Sequence, residues 1–138
     1  MKHHKKYWLL PIVVAPLLVG FLIVQIIDKV APTEQPAYNG FHDGANCQRI
    51  QGWAWDSTRP NDAVRVDIYD GDALIATVTA DRFRQDLLDA HRGNGNHGFD
   101  FDVPVQLKDG KLHVISVGVA GTQIYLGSTP RKIYCDPQ

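Results

Sequence analysis

From Tyr7 to Ile27 the chain runs for 21 residues without one charged side chain, and this stretch constrains everything around it. Fourteen residues between Trp8 and Ile27 are Leu, Ile, Val or Phe. A helix of ~20 residues rises ~30 Å, the thickness of a bilayer's hydrocarbon. Each such side chain favours insertion by roughly 0.3–0.6 kcal/mol, and the sum outweighs the opposition from Pro11, Pro16, Gly20 and Gln25. Lys2, His3, His4, Lys5 and Lys6 precede the run, whereas Asp28, Lys29 and Glu34 follow it. Because positive flanks stay cytoplasmic, residues 1–6 read as a cytoplasmic basic tail. Residues 7–27 then read as a single-pass transmembrane signal anchor, and all that follows is exported, to the periplasm or outside the cell. A cleaved signal peptide is the rival reading. Its apolar region is typically only ~7–15 residues, however, and here Ala31 is followed directly by Pro32, which spoils a small-x-small cleavage site.

The remainder is long enough for one ordinary domain. The whole chain of 138 residues is 44% hydrophobic with a net charge of −1, which excludes a disordered chain and a nucleic-acid partner. Residues 28–45 read as an extracytoplasmic linker rich in Pro and Gly, with Tyr38 and Phe41 tucked against the edge of a domain spanning residues 46–138. Cys47 and Cys135 bracket that domain. On the oxidising side of a membrane they predict a disulfide, worth about 4–5 kcal/mol in the chain-entropy account. Two buried free thiols are the alternative, and without CxxC spacing they do not read as a metal site.

Within the domain the hydrophobic period is two, interrupted by turn residues about every ten positions, the pattern of an all-β sandwich or barrel. Residues 63–70 set Val64, Val66 and Ile68 on one face and Arg65, Asp67 and Tyr69 on the other. Asp70-Gly71-Asp72 predicts a hairpin into a strand over residues 73–80. Further strands fall at residues 48–55, 99–103, 112–120 (core face Ile115, Val117 and Val119), 123–126 and 131–135, making six or seven. One short helix is expected over residues 81–90, capped by Asp81, pinned by Phe83 and Leu87, with Arg82 pairing Asp86 outside.

Four stretches, Gly52-Trp-Ala-Trp-Asp56, Ala80-Asp-Arg-Phe-Arg-Gln-Asp-Leu87, Gly93-Asn-Gly-Asn-His-Gly-Phe99 and Leu107-Lys-Asp-Gly-Lys-Leu-His113, together resemble an immunoglobulin-like β-sandwich module with a GWAWD signature found in exported bacterial proteins. The likeness covers about residues 46–135. It implies an export-competent β module without a catalytic role and carries over no active-site residue. Unlike antibody domains, this chain's cysteines flank the domain instead of joining the two sheets beside a core Trp.

Trp53 and Trp55, two apart on a strand, share a face, and a pair of parallel indoles could stack a sugar ring. Packing in the core or at its edge is the preferred reading, because Ile50 and Ala54 opposite leave the inward side open. Asp70, Asp72, Asp100 and Asp102 offer oxygen ligands for Ca²⁺, but without a DxDxDG loop they read as turn caps and wet strand faces, and no metal or cofactor is expected. His91, His97 and His113 invite a zinc or acid-base reading, because imidazole is the side chain that titrates near neutrality. Neither they nor Ser57, Ser116 and Ser128 lie in an HExxH, GxSxG or comparable motif, so no catalytic residue is assigned. Residues 93–98 lack the Lys-Ser/Thr and following helix of a phosphate cradle and read as a turn.

These features predict a non-catalytic module held at the lipid bilayer for binding or assembly with an envelope protein or glycan. Alternatives are an accessory subunit acting through its transmembrane helix, motivated by Pro11, Pro16 and Gly20, and a secreted glycan binder if the N-terminal segment is cleaved. A hydrolase would need paired reactive groups in a cleft.

Overall fold

Branched aliphatic side chains at alternate positions build the centre of one sheet and so set the core. In the computed structural model, which describes residues 37–137, the elements in chain order are β1 (Tyr38–Ala45), β2 (Arg49–Asp56), β3 (Val64–Asp70), β4 (Ala73–Ala80), β5 (Arg82–Phe83), α1 (Gln85–Asp89), β6 (Asn96–Asp102), a 3-10 turn (Val105–Leu107), β7 (Leu112–Val119) and β8 (Arg131–Tyr134). Sheet A has strand order β1-β2-β6-β5 and sheet B β4-β3-β7-β8. Every ladder is antiparallel.

Val64, Val66 and Ile68 of β3 and Ile115, Val117 and Val119 of β7 face Ile50 and Ala54 of β2 and Phe99 of β6 across the sandwich. Ile50, Ile68 and Ile115 are wholly buried, and each stabilises the fold by roughly 1.5–3 kcal/mol. The expected hairpin at residues 70–72 forms, with Gly71 in the left-handed region at φ 57°. The all-β, two-sheet reading with one short helix therefore holds, but with eight strands where six or seven were expected, because residues 38–45 and 82–83 pair as strands.

One lateral edge of the sandwich is closed by side chains and a strap. The Gly127 amide donates to Gly40 O and the His42 amide to Gly127 O, while the Leu126 amide donates to Val117 O, so residues 126–127 bridge β1 of sheet A to β7 of sheet B. Arg131 Nε donates to His42 O. Cys47, in the turn after β1, and Cys135, just past β8, stand at disulfide distance with Cα atoms 5.4 Å apart. The cysteines thus connect the rims of the two sheets rather than merely flanking the domain.

Four boundaries differ from expectation. The linker expected over residues 28–45 ends earlier, because residues from Tyr38 form β1. Its inward positions are Tyr38, Gly40 and His42, so the alternation carries no aliphatic signal. The helix expected over residues 81–90 shrinks to Gln85–Asp89, since Arg82 and Phe83 pair with Gly98 and Asn96 of β6 instead. Arg84 occupies the cap position without a side-chain cap bond, so Asp81 does not start the helix. The strand expected at residues 123–126 reduces to the isolated pairing of Tyr125 with Gly118, because the chain there leaves sheet B to meet β1. The expected membrane span, residues 7–27, lies outside the described residues. Among the described residues no helix is long and apolar enough to cross a membrane.

Candidate functional site

The two tryptophans point away from the core. Ile50, Ala54 and Asp56 of β2 are buried inward, which turns Trp53 and Trp55 onto the outer face of sheet A, each half-buried. Core packing is thereby ruled out for them. The Arg92 guanidinium lies 5.2 Å from the Trp53 ring centroid and 5.1 Å from that of Trp55, a cation–π contact with both indoles. Trp55 Nε1 donates to Pro60 O at 3.0 Å. The aromatic platform is thus occupied by the protein's own arginine, which fastens residues 92–95 and the loop at Pro60 to the sheet.

Asp56, the last residue of the same motif, accepts from Thr58 N at 2.9 Å and Thr58 Oγ1 at 2.7 Å and from Arg59 Nε at 3.0 Å. Burial works to raise its pKa, but the Thr58 and Arg59 hydrogen bonds prevail and hold the carboxyl below the usual range. Gly52 completes the motif. A Cβ there would lie 2.2 Å from Phe41 O and 2.6 Å from the Phe99 ring.

Beside the tryptophans the same face carries an ion-pair lattice. Arg84 reaches over Gly98, where an added Cβ would meet its Cδ at 2.9 Å, and pairs with Asp43 and, at 2.7 Å, with Asp86. The Asp86 hydrogen bond, aided by Asp43 and only partly opposed by burial, raises the pKa of Arg84. Asp100 Oδ2 accepts from Arg49, from Arg82 at 3.2 Å and from Gln51 at 3.4 Å. The predicted Arg82–Asp86 pair is accordingly absent, each residue having found another partner. Between these side chains runs a groove of about 300 Å³ over Gly52 and Gly98, walled by Asp43, Gln51, Arg82, Phe83, Arg84 and Asp100.

Of the remaining titratable candidates, Asp70 and His113 come together and the others stand apart. Asp70 ends β3 in sheet B, whereas Asp100 and Asp102 belong to β6 in sheet A, and among the described residues these carboxylates form no group that could hold a metal ion. Asp70 Oδ2 meets His113 Nδ1 at 2.6 Å, and Asp109 Oδ1 meets His113 Nε2 at 3.0 Å. The Asp70 hydrogen bond foremost, against burial and with help from Asp109, raises the His113 pKa. His97 is wholly enclosed in sheet A, and burial pushes its pKa down. His91 is exposed on the turn after α1. Among the described residues no group of three or more His, Cys, Asp or Glu side chains is arranged to hold a metal ion.

Sequence reasoning missed three residues that organise this molecule: Arg84, Arg92 and His42. His42 is wholly buried with Nδ1 3.3 Å from Thr129 Oγ1. Burial, reinforced by the Arg131 charge, pushes its pKa down to about 4. Its place opposite Gly52 in the β1–β2 ladder was the only available signal, and it needed the pairing itself to be known.

A two-sheet β-sandwich with eight strands among the described residues is the class of protein that emerges. Residues 1–32 match a family described as a family of unknown function, DUF5989. No curated protein matches the chain. A solved structure of an engineered protein is similar at 10% identity and a TM-score of 0.37, over 76% of this chain and 21% of that one.

Proposed function

We propose that this protein is a membrane-anchored, extracytoplasmic β-sandwich module of the immunoglobulin-like kind that binds or assembles with an envelope partner and performs no catalysis. The uncharged run from Tyr7 to Ile27 behind a basic flank supports the anchor, and the cysteine pair at disulfide distance fits an oxidising compartment. The carrying observation is the outer face of sheet B. Cross-strand neighbours place Leu74 beside Tyr69, and Leu112 beside Tyr134, while Tyr125 covers Gly118 on the same face. Leu74 is 56%, Leu112 59%, Tyr125 59% and Tyr134 60% exposed. Large apolar side chains gathered on one face mark an interaction surface, and tyrosine is favoured there because it pairs apolar area with a polar tip.

Photo-crosslinking residues placed singly at Leu112, Tyr134 and, as control, Ser57 test this in intact cells. Discrete adducts from Leu112 and Tyr134 but not from Ser57 are expected; their absence would remove the reading. The family match over residues 1–32 covers the anchor and supports a second reading, in which that segment itself makes the functional contact. Replacing residues 7–27 by an unrelated apolar helix separates the two, since retained partner capture would dismiss the second.

A further inference from the structure

The geometry points to a binding site for a neutral saccharide in the groove on the outer face of sheet A, a surface separate from the apolar face of sheet B. Its volume of about 300 Å³ lies at the lower end of small-ligand pockets. It therefore suits one or two sugar rings rather than an extended polymer.

Charge decides the ligand class. The groove's cations and anions are matched: Arg84 against Asp43 and Asp86, and Arg49 and Arg82 against Asp100. An anionic ligand would have to compete with carboxylates already in place, and a cationic one with guanidinium groups, so neither gains net attraction. A polyol does not face this conflict, because each hydroxyl both donates and accepts. The walls offer both partners. Arg82 is largely exposed and supplies N–H donors, Gln51 supplies an amide, and the part-exposed Asp43 carboxylate supplies acceptor oxygens.

Saccharide recognition also wants an apolar face for the C–H side of the ring. The tryptophans do not provide it, since Arg92 fills the space between them. Phe83 does. It lines the groove, is 56% exposed, and its ring is backed by Gly95, where an added Cβ would lie 3.1 Å from Phe83 Cε2. A phenyl this exposed has no role in the core, and Phe83 is the large apolar residue among those that line the groove's open side.

The test uses the full chain in a detergent without a sugar head group, titrated calorimetrically with cellobiose, maltotriose and di-N-acetylchitobiose as neutral probes. Trigalacturonate serves as the acidic probe and a chitosan trimer as the cationic one. At least one neutral probe should bind, and Phe83→Ala should weaken it at least ~10-fold. Gln51→Ala, which leaves the ion pairs intact, should weaken the same probe several-fold, and Trp53→Phe should leave it within ~2-fold. Near-UV circular dichroism of each variant confirms the fold. Failure of all three neutral probes against folded wild-type protein would overturn the assignment, as would preference for either charged probe or indifference to Phe83→Ala. None of these outcomes bears on the apolar face of sheet B, whose crosslinks are read independently.

Discussion

Single atoms decide which glycines of sheet A can change. At Gly52 a methyl group would collide with the Phe41 carbonyl and the Phe99 ring, both held by the ladder and the core, so Gly52→Ala should cost more than about 3 kcal/mol or abolish folding. At Gly44 nothing lies within 4 Å of an added Cβ, and Gly44→Ala should stay within about 0.5 kcal/mol of wild type by urea unfolding. Two histidines impose opposite pH dependences. The His113 pKa is raised above 6.5 in the fold, so its two carboxylate contacts stabilise fully below the unfolded value and fade as pH rises through the folded one. The His42 pKa is lowered to about 4, so the unfolded chain takes up that proton first and stability falls as pH drops from about 6.5 towards 4. Thermal melts from pH 4 to 9 should therefore peak between these limits, and His113→Gln should flatten the alkaline side only. Little of this was legible beforehand. Trp53 and Trp55 could be placed on one face by their spacing, but that Ile50, Ala54 and Asp56 take the inward side, and that Arg92 lies over both indoles, depends on contacts a single sequence does not show.

At the scale of elements, the segment after β4 shows a local signal yielding to a tertiary one. Residues 81–90 carry helix-like spacing, yet Arg82 and Phe83 gain ladder hydrogen bonds and a carboxylate partner by joining β6, and only Gln85–Asp89 remain helical. A helix of about five residues has almost no intrinsic stability, so packing holds it. Leu87 is its one buried side chain. Leu87→Ala should consequently cost about 2–4 kcal/mol, whereas Asp81→Ala, which removes no cap bond, should cost under about 0.5 kcal/mol. Equal losses from the two in denaturant titration would return the cap to Asp81. The strands split the same way in legibility. β3 and β7 declare themselves through Val and Ile at every second position, but β1 turns Tyr38, Gly40 and His42 inward, and Asp43, Gln51, Arg82 and Asp100 reach one groove from separate strands. Long-range pairing, not local pattern, makes that site.

For the molecule as a whole, the cysteines and the N-terminal run make one joint claim about where the domain resides. A covalent link between the rims, closing a separation of 88 residues, should stabilise by about 4–5 kcal/mol relative to the reduced chain. Cys47→Ser with Cys135→Ser should lower the melting temperature accordingly, by tens of degrees for a domain of this size. Such links form and persist chiefly on the oxidising side of a membrane. The decisive measurement is alkylation of the protein in acid-quenched cells, before and after reductant, read by mass spectrometry. The proposed export through an N-terminal anchor predicts Cys47 and Cys135 unlabelled until reductant is added; both fully labelled beforehand would contradict the proposed extracytoplasmic placement.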